Sequence, residues 1–331
     1  MLMEQAMSQQ KIKHICALSI ISLFISSQSV MALEPGAAPQ APAGNTMGIP
    51  LSAPLPPGVY YTISTKLLNG ELKDNKGENM GLKLDAPAST SIFIYTPGFK
   101  VFGGDYRAWV AVPLILAEET ITNPMLGTPG KHSNTNIANI DLHLADVSWT
   151  LNPGQFLSAG VGVITTTGSW EQGGTNTSGE YWSINPRLGY SLINKDWNFS
   201  FESHYFYNFE NKENKYDSGD ELFFDVTLLK KLNSVHEGLQ IGPIGYVREQ
   251  ITSDKNNGTA FYGHVNEKAR QMGLGAQIVQ DFGRGLFVGL SWSKDVETRN
   301  AVSNDGRFAL NVSLPLYMKN KPKPASLPKN F

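Results

Sequence analysis

Residues 307–317 read RFALNVSLPLY, and apolar and polar side chains alternate along this stretch. Every even-numbered position from Phe308 to Leu316 is large and apolar, whereas the odd-numbered positions from Arg307 to Ser313 are small or polar. Side chains two residues apart share a face of a β-strand, so the pattern predicts a strand with one apolar face. A helix would spread both sets around its circumference.

The same alternation recurs through the chain toward its amino end, in about twelve segments. Most are close to the nine to eleven residues that cross a bilayer at a tilt. The predicted strands are residues 59–68, 89–96, 105–117, 140–151, 155–166, 181–192, 197–209, 221–232, 237–251, 267–281, 286–297 and 306–317.

The connections between these segments alternate between short and long. Short turns are predicted at Asn152–Gly154, Asn194–Asp196, Asn233–His236 and Phe282–Gly285, and long loops at Asn69–Ala88, Glu118–Asn139, Thr167–Glu180 and Thr252–Asn266. An even strand number with both termini on the short-turn side is typical of bacterial outer-membrane barrels. The sequence therefore predicts an all-β fold: a transmembrane antiparallel up-and-down β-barrel of about 12 strands, with short periplasmic turns and long extracellular loops.

Both ends of the chain differ in composition from this region. Residues 1–32 have the form of a signal peptide, because Lys11 and Lys13 precede an apolar run and small side chains place cleavage after Ala32. The single cysteine, Cys16, lies in this segment, so disulfides and thiolate sites are excluded from the exported chain. Residues 33–57 are rich in Pro and Ala and predict a flexible segment, residues 58–317 the barrel, and residues 318–331 a Pro/Lys-rich periplasmic tail.

The composition limits the partners. A net charge of -2 gives no polyanion-binding signal, so nucleic acid is not expected. After Ala32 no apolar run approaches the roughly 18 residues of a membrane helix, so membrane integration must use strands. The expected partners are outer-membrane lipid, the barrel-assembly machinery of a Gram-negative bacterium, and a hydrophobic small-molecule solute.

An ordered series of short motifs runs along the predicted barrel. They are Pro57-Gly58-Val59-Tyr60, Gly103-Gly104-Asp105-Tyr106, Leu157-Ser158-Ala159-Gly160-Val161-Gly162-Val163, Tyr181-Trp182-Ser183-Ile184-Asn185-Pro186, Tyr216-Asp217-Ser218-Gly219-Asp220-Glu221, Gly242-Pro243-Ile244-Gly245-Tyr246 and Leu314-Pro315-Leu316. From Gly58 to Tyr317 the chain thereby resembles the outer-membrane family labelled for the meta pathway of phenol degradation, whose members are described as transporters. The resemblance implies a barrel that passes or binds hydrophobic or aromatic small molecules, without implying phenol itself. One departure is that a Pro-rich tail separates Tyr317 from the terminal Phe331.

The inward side of the predicted strands carries the candidate site residues. The polar set is Arg107, Arg187, Glu202, His204, Asp225 and Arg248, and the aromatic set is Phe206, Phe223, Tyr246 and Phe287. The charges could orient a polar head group, or they could be a structural network that fills a narrow barrel. The aromatic rings could form a pocket for apolar solutes, or they could be packing and plug contacts.

No motif for catalysis, cofactor or metal binding is present: the sequence lacks a G-x-S-x-G elbow, an H-E-x-x-H helix and a P-loop. The expected function is a non-enzymatic channel through which hydrophobic or aromatic small molecules pass passively. Two alternatives remain open. One is a lipid-active outer-membrane enzyme, since His143 shares parity with Val147 and Trp149 and could face lipid, although no serine partner is evident. The other is a plugged surface-binding barrel that acts through its extracellular loops.

Overall fold

The structure is a computed structural model that describes residue 34, residues 38–258 and residues 268–319. The predicted signal peptide, its cleavage site and most of the predicted periplasmic tail lie outside the described residues. Within the described residues, no helix is long and apolar enough to cross a membrane.

Twelve antiparallel strands form the wall of the molecule. They are β1 (Gly58–Leu67), β2 (Ala88–Thr96), β3 (Gly104–Ile121), β4 (Asp141–Asn152), β5 (Gln155–Ile164), β6 (Ser183–Ile193), β7 (Trp197–Asn208), β8 (Glu221–Lys231), β9 (Leu239–Gln250), β10 (Arg270–Asp281), β11 (Phe287–Arg299) and β12 (Arg307–Met318). Each pairs with the next along the chain, as in an up-and-down barrel.

The first and last strands close the ring. β1 pairs with β12 so that Gly58 lies opposite Met318 and Leu67 opposite Phe308. Closure leaves none of these twelve strands with an unpaired edge, which a bilayer requires because lipid cannot hydrogen-bond to backbone groups. The predicted all-β, twelve-stranded barrel is confirmed.

The two faces of the strands follow the predicted alternation. In β12, Phe308 is 60% and Leu316 55% exposed, whereas Arg307 is only 3% exposed. The exposed fractions place the apolar side chains on the outer surface and the polar ones in the lumen. This arrangement suits a wall with lipid on one side and polar groups on the other.

The long loops carry further short strands, and the other rim carries one. These strands are Asn69–Lys73, Asn79–Asp85, Lys100–Val101, Gly130–Ile137, Tyr216–Asp217, Lys255–Asn256 and Ala301–Val302. β3 has 18 residues, more than the predicted 105–117, because its far end continues past the barrel and pairs with Asn79–Asp85 and Gly130–Ile137.

A β-bulge interrupts β4. Its register against β5 shifts between Leu142 and Ala145, and the extra residue reverses which side chains point inward. His143 is therefore fully buried and stacks on Trp109 of β3, with ring centroids 3.9 Å apart. The expectation that His143 faces lipid was wrong, because simple alternation does not hold across a bulge.

Residues 38–57, here called the plug segment, lie inside the barrel. Pro56 accepts hydrogen bonds near the short-turn end of β1, Ser52 contacts Ser158 of β5, and Gln40 donates to Tyr181 beside the long loops. The segment thus traverses the lumen from one end to the other. Its composition predicted a flexible chain because it has few apolar side chains of its own. In the structure it contacts both polar and apolar side chains of the barrel strands.

Candidate functional site in the barrel lumen

A ladder of buried charges crosses one side of the lumen. Arg107 Nε donates to Asp146 Oδ1 at 2.6 Å, and Arg187 bridges Asp146 to Glu202, with Nη2 2.7 Å from Glu202 Oε2. All four side chains are at most 5% exposed. Buried charges persist where each has a partner, so this part of the predicted polar set is a paired network.

The plug segment is attached to this ladder. Ser52 Oγ lies 2.8 Å from Ser158 Oγ and donates to Glu202 Oε1 at 3.1 Å, while Ser148 donates to the Ser52 carbonyl. Arg187 Nη2 also donates to Ser158 at 2.9 Å. The ladder therefore both braces the wall and holds the middle of the plug segment.

Arg248 belongs to a second polar group. Its Nε lies 2.6 Å from Glu221 Oε1, its Nη1 donates to Gln271 Oε1 at 2.9 Å, and its guanidinium lies 5.5 Å from the centre of the Phe223 ring. His204 is separate from it, with Nδ1 3.1 Å from Asn185 Oδ1. Since Asn185 also contacts His143, this histidine belongs to a polar chain with no nucleophile in its described contacts.

The predicted aromatic residues fall into two places. Phe206 and Phe223 pack 4.7 Å apart and, with Ile164, form an apolar cluster against Ala41 of the plug segment. Tyr246 donates to Asp295 and packs in a separate cluster with Ala43 and Met47. Phe287 lines the cavity near the short-turn end. Most of these rings are therefore plug contacts, one of the two interpretations that the sequence left open.

A turn at residues 43–48 seats the plug segment against the wall. Thr46 donates to Asp225 Oδ2 through its backbone N at 2.7 Å and its hydroxyl at 2.6 Å. Gly44 and Gly48 have φ of 70° and 78°, a backbone conformation that only glycine adopts readily. A Cβ on Gly44 would lie 2.6 Å from Arg307 Nη2, so the turn fits closely into the wall.

Glu34 lies beyond the barrel, among the long loops. Its Oε1 accepts from Asn211 Nδ2 at 2.7 Å and Asn214 Nδ2 at 2.5 Å, and its backbone N donates to Ser218. Burial raises the pKa of this carboxyl to about 7, while the two amides lower it and nearby Glu180 raises it further. These contacts hold Glu34 at the long-loop rim of the barrel.

The remaining lumen is a cavity of about 1390 Å³ with one apolar wall. That wall comes from β2 and β3, whose cavity-lining side chains include Ala88, Thr90, Ile92, Ile94, Trp109, Ala111, Pro113, Ile115 and Ala117, with the charged Arg107 and Glu119 of β3 on either side of them. An apolar cluster of Leu72, Met80, Leu82 and Ile121 continues it among the long loops. The cavity therefore has a charged side, largely covered by the plug segment, and an apolar side.

The structure places every predicted site residue inside the barrel, but it distributes them over separate groups. Four further charged residues of the lumen were not among the predicted site residues: Asp146, Glu221, Lys66 and Arg307. A charged residue at an inward position of an otherwise apolar or small-residue strand is the signal that could have found them. The apolar wall was missed because β3 is apolar on both faces from Ala108 to Ala117, and because the polar and apolar residues of β2 follow one another in blocks and do not alternate.

A closed barrel with a lipid-facing outer surface and a threaded lumen defines an outer-membrane β-barrel. Its sequence matches, over residues 69–311, the family described as "Putative MetA-pathway of phenol degradation". The chain belongs to this family, and the predicted resemblance and outer-membrane location are confirmed. None of the curated proteins matches the sequence.

Three solved structures are similar to this chain to different degrees. An outer membrane channel from Pseudomonas putida F1 is similar with a TM-score of 0.66 at 11% identity, covering 80% of this chain and 97% of that one. The β domain of a Bordetella autotransporter has a TM-score of 0.44 at 10% identity, covering 79% and 100%. The TodX monoaromatic hydrocarbon channel, as a deletion mutant, has a TM-score of 0.40 at 9% identity, covering 78% and 89%. At 11% identity, the similarity to the Pseudomonas putida channel shows a shared fold only.

Proposed function

We propose that this protein is a passive outer-membrane channel for hydrophobic or aromatic small molecules, which move along the apolar wall of β2 and β3. The observation that carries the proposal is the apolar wall of the cavity. A pore for hydrophilic solutes has a polar lining, whereas here Ile92, Ile94 and Ile115 are only partly buried and border the cavity. Small-molecule sites are concave and mostly apolar with a few polar groups, as this cavity is.

Two further features support the proposal. The apolar cluster around Leu72 and Leu82 borders the same cavity at the long-loop end, so the apolar lining continues from β2 and β3 into the loops. The solved Pseudomonas putida barrel with the same fold is an outer membrane channel. Among the described residues, the buried charges of Arg107, Arg187 and Arg248 are paired with carboxylates, an arrangement that suits a scaffold.

The test is uptake of the fluorescent hydrophobic probe 1-N-phenylnaphthylamine by intact cells that produce the protein. Ile92→Asn and Ile115→Asn place polar amides on the wall, and we expect each to slow protein-dependent uptake severalfold. Thr90→Asn is the matched control, since position 90 lines the same cavity and is already polar. Uptake that is equal in all variants and in cells without the protein would contradict the channel.

A plugged surface-binding barrel is the second candidate, and the plug segment is the observation that favours it. If the plug segment never leaves the lumen, the long loops must carry the function. The same uptake experiment separates the two, because removal of the apolar wall has no effect on a barrel through which nothing passes. The lipid-active enzyme loses its basis, because His143 faces the lumen and contacts Asp141 and Asn185.

A further inference from the structure

Two buried cations in the lumen stand outside the ion pairs. Arg107, Arg187 and Arg248 each contact a carboxylate at or below 2.7 Å. Lys66 and Arg307, which are 6% and 3% exposed, have no carboxylate within 4.0 Å among the described residues. Burying a charge is costly unless a partner compensates it, and the Tyr246 ring, whose centre lies 5.1 Å from the Arg307 guanidinium, compensates Arg307 only in part.

Neutral oxygens of the plug segment cover both cations. Arg307 Nη1 donates to the Ala43 carbonyl at 2.6 Å, and Lys66 Nζ donates to the Asn45 carbonyl at 3.2 Å and to Asn45 Oδ1 at 2.5 Å. In the described part of the chain, Arg307 Nη2 is buried without a hydrogen-bond partner. The turn supplies dipoles where an anion would supply charge.

The acids nearest to these cations are engaged elsewhere. Asp225 Oδ2 accepts both hydrogen bonds from Thr46, and its Oδ1 is buried without a hydrogen-bond partner among the described residues and makes no ion pair with either cation. The Asp295 carboxylate accepts from four other groups, which are Tyr246, Gln271, Thr298 and the Asn304 backbone. Neither acid neutralises Lys66 or Arg307 directly, and both cations retain donor capacity.

The two cations also lie next to the apolar wall. In the sheet, Lys66 of β1 is opposite Ala88 of β2 on one side and Ala309 of β12 on the other, and Arg307 is two residues from Ala309 on the same face. Both cations border the cavity that the wall lines. A single small molecule can therefore place a charged end on the cations and an apolar body on the wall.

We propose that Lys66 and Arg307 bind the carboxylate of an amphipathic solute, such as an aromatic or aliphatic acid, and that binding displaces the turn at residues 43–48. This inference rests on the proposed channel function. Hydrogen bonds between ionised partners are roughly twice as strong as those to neutral oxygens, so a carboxylate competes effectively with Ala43 and Asn45. The solute then promotes its own passage, because its binding removes two contacts that hold the plug segment.

The test compares 4-phenylbutyrate with its neutral counterpart 4-phenylbutan-1-ol, by calorimetric titration of the protein in lipid nanodiscs against empty nanodiscs. We expect the acid to bind about tenfold tighter than the alcohol at low salt, which corresponds to one charge-assisted contact. Lys66→Gln and Arg307→Gln should each remove most of that preference and leave the affinity for the alcohol unchanged. Lys231→Gln, which changes a cavity-lining cation at the short-turn end, should retain it.

Release of the turn has its own readout. Met47 is 7% exposed, so a Met47→Cys thiol should react slowly with maleimide. The labelling should become severalfold faster when 4-phenylbutyrate is added, and the alcohol should leave its rate unchanged. Equal binding of acid and alcohol, unaltered in Lys66→Gln and Arg307→Gln, would overturn the anion site and leave the channel standing. Binding of neither compound would overturn both.

Discussion

Replacing Gly48 with alanine is expected to unseat the plug segment. Gly48 has a φ of 78°, and a Cβ there would lie 2.0 Å from Gln277 Oε1 and 2.1 Å from Gln277 Nε2. An alanine in this conformation costs about 1–2 kcal/mol. The displaced Gln277 amide also loses its 3.3 Å hydrogen bond to the Gly48 carbonyl, about 1 kcal/mol more.

The sum of about 2–3 kcal/mol corresponds to a roughly 30- to 150-fold increase in the population of the unseated state. Single-channel recording in planar lipid bilayers measures this population as the fraction of time that the protein spends in a large-conductance state. Gly103→Ala is the matched control: its φ is 79°, but a Cβ there meets nothing within 4 Å, and it lies in the β2–β3 turn away from the plug segment.

Open-state occupancy that is the same in Gly48→Ala, Gly103→Ala and the unaltered protein would refute the reasoning. It would mean either that the turn does not restrict the lumen or that its contacts with the wall are too weak to matter. Gln277→Ala on its own removes the hydrogen bond and adds no backbone strain, so its occupancy should lie between those of the unaltered protein and Gly48→Ala.

Three other outcomes are expected. Asp146→Asn leaves Arg107 and Arg187 without their shared carboxylate and should lower the free energy of unfolding by about 3–5 kcal/mol, measured by urea titration in lipid; an unchanged midpoint would contradict a paired network. Because burial raises the pKa of Glu34 from 4.5 to about 7, its docked form holds a proton that the free form releases, so docking should be strongest below pH 4.5 and weaken until about pH 7. Channel openings should therefore become more frequent as the pH rises from 4.5 to about 7, and Glu34→Gln should lose this pH dependence. A pH profile that is identical in the two proteins would disprove the role of Glu34. The folded barrel should migrate differently in electrophoresis with and without boiling, and identical mobility would argue against closure.

The wall of the barrel could be predicted from the sequence, because alternation is a local property. Phe308 and Leu310 face outward and Arg307 faces inward for reasons contained in one strand, and the twelve strands follow from repeating that argument. The bulge at His143 could not be predicted in this way, since an inserted residue shifts the pattern without changing its composition.

The interior was harder to predict because it depends on contacts between distant parts of the chain. Thr46 and Asp225 are 179 positions apart, and nothing near either residue indicates the other. The charged candidates lie inside the barrel, but their pairing depends on Asp146. The bulge between Leu142 and Ala145 comes just before this residue, so simple alternation along β4 does not show that Asp146 points inward. Residues 38–57 lack apolar bulk, so their order comes entirely from the barrel around them.

The path of the plug segment constrains how the molecule is assembled. Gln40 lies at the long-loop rim while Gly58 begins β1 at the opposite rim, so residues 40–57 pass through a ring that β1 itself closes against β12. This stretch must already be inside when that final seam forms, or be drawn through afterwards. A folded domain fused ahead of Glu34 would therefore obstruct maturation, whereas the same domain fused after β12 would leave it undisturbed.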